Sequence, residues 1–229
     1  MWRRILLLVF LAGCGGGGAS DPGQSYLGAR YEVSPLGECA LPDDDPLIRF
    51  DAFDCTTFVE TVLADGCECC LTQIRYKDGK VGFLTRNHFI ESDWLANNSG
   101  VVRNASAQYA PTAVRRVVID KANWFRVAHG LDVDVAPVVV DLEYIPYKYV
   151  ADVKIDTPVI VLFITDNPKI HDTMGTDLAV VHMGLWLPNG VLRHASSERG
   201  TVVDVDMMDY VRQRMKDKQN LGIAVVEIK

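Results

Sequence analysis

Short runs of β-branched and apolar residues dominate the second half of the chain, and Asp, Asn, Pro or Gly bounds each run. This composition is typical of β-strands. We predict strands at 159–165, 179–187, 191–197, 201–205 and 221–228. Because tight turns join these segments, they predict an antiparallel sheet and an α+β fold rather than a doubly wound one.

The first half of the chain contains one clear helical pattern, which follows Asp54. Apolar residues recur there at helical spacing, at Phe58, Val59 and Val62. Asp54 is a suitable N-cap and Gly66 a suitable stop, so the pattern predicts a helix that begins at Cys55 and buries one face. A second helix is predicted around 118–129, whereas the rest of 87–147 has no clear pattern.

The amino terminus has the layout of a secretory signal, with two arginines and an apolar run too short to span a bilayer. The end of this run resembles a bacterial lipobox, which implies that the thiol of Cys14 carries diacylglycerol. The alternative is an ordinary cleaved signal with a chance cysteine. We expect a signal peptide at 1–13, a lipidated cysteine and flexible tether at 14–30, and one folded domain at 31–229.

The net charge of the chain limits the classes of molecule that it is expected to bind. The chain has 23 basic and 30 acidic residues, a net charge of -7, and no basic stripe interleaved with aromatic residues. This balance argues against nucleic acid as a partner. A lipid anchor predicts a membrane contact in the cell envelope. Gly15 is not an aspartate of the kind that retains lipoproteins in the inner membrane, so we expect the periplasmic face of the outer membrane, and a monomer.

Cys55 is the candidate nucleophile because of its place at a helix start. Unpaired backbone amides there favour the thiolate, lower the thiol pKa, and can also hold an oxyanion. The alternative is a buried structural cysteine, which packs like a small hydrophobic residue.

The candidate base lies in a predicted hairpin, and the loop length decides whether its two histidines share a face. With a two-residue loop, His182 and His194 would point to opposite faces of the sheet. A three-residue loop of Pro188, Asn189 and Gly190 fits a type I turn closed by a left-handed glycine. Leu187 then faces Val191, and His194 becomes the diagonal neighbour of His182. We therefore predict that His182 takes the thiol proton and that His194 orients its ring.

These residues resemble a known pattern of the NlpC-type superfamily of papain-like cell-wall cysteine peptidases: Asp-Cys at a helix start, His-x-Gly on a strand, and a polar residue on the next strand. The sequence is more closely similar to its N-acetylmuramoyl-L-alanine amidase-like branch. The strings that carry this likeness are 50–60, 74–76, 86–89, 93–94, 144–146 and 194–197. The resemblance implies a papain-like fold, with the helix of Cys55 packed on an antiparallel sheet or open barrel.

The resemblance also implies hydrolysis of an amide bond in peptidoglycan or a muropeptide by Cys55, His182 and His194, without a cofactor. The bond is expected between muramic acid and L-alanine. The alternatives are a stem-peptide endopeptidase and a catalytically silent cell-wall-binding lipoprotein. Stem peptides carry carboxylates that arginine can grip. Candidate substrate contacts are therefore Arg75, Arg86, Asn87 and His88.

Four further cysteines complete the set of six: Cys39, Cys67, Cys69 and Cys70. An oxidising compartment permits disulfides, but the spacing does not determine the pairing. A zinc site at 67–70 is an alternative that lacks a partner pair at zinc-finger spacing. Disulfides or free thiols are therefore favoured there, and no metal is expected.

Overall fold

Ten strands form one sheet in the computed structural model, which describes residues 21–229. The strands are β1 (Arg30–Tyr31), β2 (Ala52–Phe53), β3 (Val102–Asn104), β4 (Ala113–Ile119), β5 (Val138–Pro146), β6 (Val159–Thr165), β7 (Val180–Trp186), β8 (Val191–Ser196), β9 (Thr201–Asp206) and β10 (Asn220–Ile228). Their order is β2-β1-β9-β8-β7-β6-β10-β5-β4, with β3 beside β10. Among the strands of residues 21–229, only the short β1–β2 pair is parallel.

The helices pack on this sheet. They are α1 (Cys55–Leu63), α2 (Glu68–Arg75), α3 (Leu95–Asn97), α4 (Ser106–Tyr109), α5 (Lys121–His129), α6 (Lys169–Met174) and α7 (Met207–Arg214). A π-helical turn, Ile90–Trp94, leads into α3, and short 3-10 turns lie at Gln24–Tyr26, Lys77–Gly79, Phe83–Thr85 and Tyr147–Asp152. The predicted α+β class, with a helix that begins at Cys55 and packs on an antiparallel sheet, is confirmed.

Strand β6 lies at the centre, and both of its faces are buried. Ile160, Leu162 and Ile164 contribute to the core that also contains Phe58 and Val59 of α1. The alternate residues, such as Val161 and Phe163, contribute to a second core that contains Met207 and Val211 of α7. Period-two alternation of the backbone therefore distributes one apolar run between two layers.

The predicted strands in the second half agree with β6 to β10 to within two residues at each end. The helix predicted around 118–129 begins only at Lys121, because Val118 and Ile119 pair with β5. The long antiparallel pairing of β4 with β5, between which α5 lies in the chain, was not predicted. Half of each strand faces solvent, so neither shows the continuous apolar run that identifies β6.

The folded part begins earlier than the predicted boundary at residue 31. The buried Arg193 guanidinium donates to Asp21 Oδ1 at 2.8 Å and to the Pro22 carbonyl at 2.9 Å. The Tyr26 ring packs edge-on to Phe53, with ring centroids 5.1 Å apart. A buried guanidinium is costly without a carboxylate partner. The contact with Arg193 therefore holds Asp21 and Pro22 in the fold, although their composition predicted a flexible tether.

The predicted signal peptide, Cys14 and the tether as far as residue 20 lie outside the described residues. Within residues 21–229, no helix combines the length and apolar character needed to cross a membrane.

Candidate active site

Cys55 is the first residue of α1, and a capping box fixes the turn that presents it. Asp54 Oδ1 accepts from the Thr57 amide at 2.7 Å, and Thr57 Oγ1 accepts from the Asp54 amide at 2.9 Å. The amides of Cys55 and Thr56 head the helix, where no earlier turn supplies carbonyl acceptors. They are available to an oxyanion beside the thiol.

The hairpin of β7 and β8 has the predicted three-residue loop. Leu187 and Val191 face each other, with the Leu187 amide 2.8 Å from the Val191 carbonyl oxygen. Gly190 closes the turn with φ +85°, a conformation that favours glycine. The register then pairs Leu185 with Arg193. The predicted loop length and parity are confirmed.

This register brings the two histidines together. His182 Nε2 lies 2.8 Å from His194 Nδ1, and the ring centroids are 4.8 Å apart. Gly184 makes the close approach possible, because a Cβ there would lie 2.9 Å from both the Arg193 carbonyl oxygen and His194 Cβ. Nε2 of His182 is thereby engaged, and Nδ1 is the nitrogen left to act on a substrate or a thiol.

Cys55 and His182 line the same cavity, which has a volume of about 160 Å³. Glu91 also lines it and fixes the start of β7, since its Oε1 accepts from the amides of Ala179 and Val180, both at 2.6 Å. His182 also lines a second cavity of about 340 Å³, together with His194, Tyr210, Arg214 and others. The candidate base therefore borders both the space around the thiol and a larger polar space.

Aromatic rings enclose the histidine pair. Phe163 of β6 lies 5.6 Å from the His182 ring at a tilt of 31°. Tyr210 of α7 lies 6.0 Å from His182 and 5.1 Å from His194. Sequence reasoning missed both residues. In the sequence, Phe163 is an aromatic residue in an apolar strand and Tyr210 is one in a polar helix. Neither pattern distinguishes a core residue from an active-site residue.

Burial determines the charge state of these groups. Burial, followed by the carboxylate of Asp54, raises the pKa of Cys55 to about 11. Burial, His194 and Arg214 lower the pKa of His182 to about 3, and burial lowers that of His194 to about 4. The expected depression of the thiol pKa by the helix terminus is therefore not found, because desolvation outweighs it. Near pH 7 the site holds a neutral thiol and neutral imidazoles.

The two arginines predicted as substrate contacts are already paired. Arg75 Nη1 donates to Glu60 Oε2 at 2.8 Å, and both side chains are about 95% or more buried. Arg86 donates to Glu38 Oε1 at 2.7 Å and to Asp43 Oδ2 at 2.7 Å. Neither guanidinium is free to grip a substrate carboxylate, so both have a structural role.

The other two predicted contacts differ from each other. Asn87 is buried and donates to the Ile74 carbonyl at 2.9 Å, so it lies away from the cavities. His88 lines the cavity of Cys55, with its Nε2 2.7 Å from the Phe83 carbonyl oxygen. Burial lowers the pKa of His88 to about 3, so its ring is neutral. Of the four predicted contacts, only His88 borders the nucleophile.

Comparison with known proteins gives the family. Residues 21–218 match the AmiA-like family, described as N-acetylmuramoyl-L-alanine amidase-like. The chain belongs to the AmiA-like family. Among curated proteins no relative matches. Three of the sequence segments that resemble the family, 50–60, 74–76 and 93–94, meet around Glu60. Glu60 binds Arg75 and accepts from Trp94 Nε1 at 3.1 Å.

Two crystal structures are similar to this AmiA-like chain over most of its length. A Legionella pneumophila protein is 24% identical, with a TM-score of 0.81 over 90% of this chain and 86% of that chain. An N-acetylmuramoyl-L-alanine amidase from Bacteroides uniformis is 25% identical, with a TM-score of 0.68 over 91% of this chain and 97% of that chain. The likeness to an NlpC protein from Trichomonas vaginalis is distant, with a TM-score of 0.29. Membership of the wider NlpC-type superfamily therefore stays a prediction.

Proposed function

We propose that this AmiA-like protein hydrolyses the amide bond between muramic acid and L-alanine in peptidoglycan or muropeptides. Cys55 is the nucleophile, His182 the base, and His194 the positioning residue. The observation that carries this proposal is the single cavity shared by Cys55 and His182, with His194 hydrogen-bonded to the far nitrogen of the His182 ring. The family and the similar amidase from Bacteroides uniformis support the choice of substrate.

In this mechanism the neutral thiol transfers its proton to Nδ1 of His182 as sulfur attacks the amide carbonyl carbon. The Nε2–H of His182 donates to Nδ1 of His194, and the bond fixes the tautomer. The oxyanion faces the amides of Cys55 and Thr56. Collapse breaks the C–N bond, and the departing amine takes the proton from His182. Water, activated by the same imidazole, then hydrolyses the thioester.

We further propose that the protein acts as a monomer at the cell envelope, anchored through a lipid on Cys14. Its sequence supports this by the lipobox-like end of the apolar run and by the absence of an aspartate at Gly15. The periplasmic face of the outer membrane is the proposed location. Labelling with a radioactive or clickable fatty acid tests the anchor, since Cys14→Ser should abolish incorporation.

Digestion of purified sacculi and muropeptides tests the reaction. The protein lacking residues 1–20 is incubated with each substrate beside Cys55→Ala, and products are identified by mass spectrometry. Removal of only these residues keeps the Asp21–Arg193 contact. Release of intact stem peptide from the sugar is the expected result, and Cys55→Ala should release none.

Other product patterns identify the alternatives. Cleavage within the stem peptide by the parent protein alone would indicate an endopeptidase that uses the same Cys55. Binding of muropeptides without any product would indicate a silent wall-binding lipoprotein. Identical products from the parent protein and Cys55→Ala would contradict the cysteine mechanism.

A further inference from the structure

Three thiols converge at the start of α2, and none of them lines either cavity of the candidate active site. Cys67 Sγ lies 2.9 Å from Cys69 Sγ, and Cys69 Sγ lies 4.0 Å from Cys70 Sγ. All three sulfur atoms lie within 4.8 Å of one another. The proposed hydrolysis uses none of them.

The local backbone fixes this arrangement. Asp65 and Gly66 have φ of 49° and 68°, and they reverse the chain between α1 and α2. Cys67 is then the N-cap of α2, and its Sγ accepts from the Cys70 amide at 3.4 Å. Positions N-cap, N2 and N3 of one helical turn thus direct their side chains to a common point. Cys67 and Cys70 are half-buried and Cys69 is exposed, so the point is open to solvent ions.

A cation bound between the three sulfur atoms would hold all of them as thiolates, because a metal ion deprotonates a coordinating thiol outright.

We propose that Cys67, Cys69 and Cys70 bind one thiophilic d10 cation, Zn²⁺ or Cu⁺, as three thiolates. Binding releases the thiol protons and involves no oxidation or reduction. Thiolate ligands select these two ions among the biological metals. Zinc would complete its tetrahedron with a water molecule.

One of the two measured sulfur separations has the value expected around a bound metal ion. A metal–sulfur distance of about 2.3 Å implies sulfur–sulfur distances of roughly 3.8 to 4.0 Å around one ion. The Cys69–Cys70 pair is at 4.0 Å, and the Cys67–Cys69 pair at 2.9 Å needs a shift of the exposed Cys69 side chain. A disulfide would use two sulfur atoms and leave the third beside it. Convergence of all three is accounted for by a single bound ion.

Metal binding to the full chain tests this proposal. The protein is purified in detergent, reduced, kept anaerobic, and offered Zn²⁺ or Cu⁺ in separate arms. Bound metal is measured by mass spectrometry after gel filtration, and free thiols by alkylation and peptide mapping. We expect one ion per chain in at least one arm, with the peptide that contains residues 67–70 protected from alkylation.

Matched variants assign the ion to this cluster. The triple change Cys67→Ser, Cys69→Ser and Cys70→Ser should weaken binding at least tenfold. Cys39→Ser, which removes an exposed cysteine outside the cluster, should bind as the parent does, and so should Cys55→Ala. Circular dichroism checks the fold of the triple variant, and Cys69→Ser alone, at the exposed position, gives the same test with less change.

Three results would overturn the proposal. The first is the absence of bound metal in both arms of the reduced parent protein. The second is equal binding by the parent and the folded triple variant. The third is recovery of the protein from the envelope with two of these cysteines joined in a disulfide. The amidase assay is independent of all three results, because the cluster lies outside the candidate active site.

Discussion

At the residue scale, two opposing influences act on the Cys55 thiol. The helix terminus and the Met183 amide favour the thiolate, whereas burial and the neighbouring Asp54 carboxylate favour the thiol. The second pair prevails. The proposed mechanism then depends on proton transfer to His182 during attack rather than on a thiolate that exists beforehand. A neutral thiol would also resist adventitious oxidation at the proposed location in the envelope.

Alkylation at varied pH measures this balance. We expect the iodoacetamide reactivity of Cys55 to rise with an apparent pKa of about 11, because burial disfavours the charged form. Asp54→Asn keeps the helix cap and removes a negative charge, so it should shift this pKa downward. In the reduced, metal-free protein, hydrogen bonds from Cys69 and Cys70 lower the pKa of Cys67 to about 7, so Cys67 is the internal reference in the same peptide map. An apparent pKa for Cys55 below that of Cys67 would contradict the assignment.

In the proposed mechanism His194 acts through His182, and its substitution should separate the orientation of the His182 ring from its charge. His194→Ala removes the acceptor for Nε2 of His182, and we expect kcat to fall by about 100-fold or more. His194→Gln can supply an amide oxygen to the same nitrogen, so it should recover part of kcat with little change in KM. In a Cys55→Ala background, which cannot hydrolyse the substrate, both changes should leave muropeptide binding in calorimetry unaltered. Equal activity of the alanine variant and the parent would remove His194 from the mechanism.

At the element scale, the β7–β8 hairpin sets the distance between the histidines. Its three-residue loop fixes the parity, and Gly184 lets the two strands and the His194 side chain approach. The approach of the two histidines therefore depends on the β7–β8 register and on the absence of a side chain at Gly184. Both are properties of the strand pair and not of the histidines themselves.

Gly184→Ala tests this view. A new Cβ would meet the Arg193 carbonyl and His194 Cβ at 2.9 Å, so His194 must move. We expect a loss of about 1–3 kcal/mol in the free energy of unfolding, and a larger proportional loss of activity. Gly190→Ala is the matched control, since its Cβ would meet nothing within 4 Å and only the positive φ is strained. Equal loss of activity in both variants would show that Gly184 has no special relation to His194.

Predictability differed among the elements for physical reasons. The strands from β6 to β10 were predicted because short runs of β-branched and apolar residues bounded by turn residues mark them. The loop parity was predicted because Pro188 and Gly190 each suit one turn position. The antiparallel β4–β5 pair was missed because exposed residues interrupt the apolar pattern of both strands.

The site was predictable only where local sequence determines it. The helix start at Cys55 and the pairing of His182 with His194 depend on nearby residues. Whether Arg75 and Arg86 can contact a substrate depends on their ion pairs with carboxylates that are distant in sequence, such as Glu60 and Glu38. The pKa of the Cys55 thiol depends mainly on its burial in the folded protein, which a sequence motif does not predict.

At the scale of the whole molecule, a buried ion pair joins the first helices to the π-helical turn. Glu60 of α1 binds Arg75 of α2 and accepts from Trp94 Nε1 at 3.1 Å, and Arg75 also donates to the Leu36 carbonyl at 3.2 Å. Four separate parts of the chain thus meet at one ion pair. Either group of such a pair is costly to leave without its partner.

Arg75→Met should therefore destabilise the protein without altering substrate affinity. We expect a loss of about 3–5 kcal/mol in the free energy of unfolding, because the Glu60 carboxylate stays buried without its counter-charge. Arg116→Met is the control, since the Arg116–Asp141 pair is exposed and should contribute little to stability. Urea unfolding measures stability, and KM measures affinity. A stable Arg75→Met variant with a raised KM would restore Arg75 as a substrate contact.

The contact of Arg193 with Asp21 bears on how far a lipid anchor at Cys14, as proposed, would let the folded domain lie from a membrane. Only seven residue steps separate Cys14 from Asp21. A fully extended chain of that length spans about 25 Å, whereas a free tether to residue 30 would span roughly 55 Å. Arg193 immediately precedes His194 on β8. Its contact with Asp21 therefore sets the length of free chain after Cys14 and also holds the strand that carries a proposed active-site residue. A lipid on Cys14 would thus restrict the hydrolase to glycan strands and fragments close to the bilayer surface.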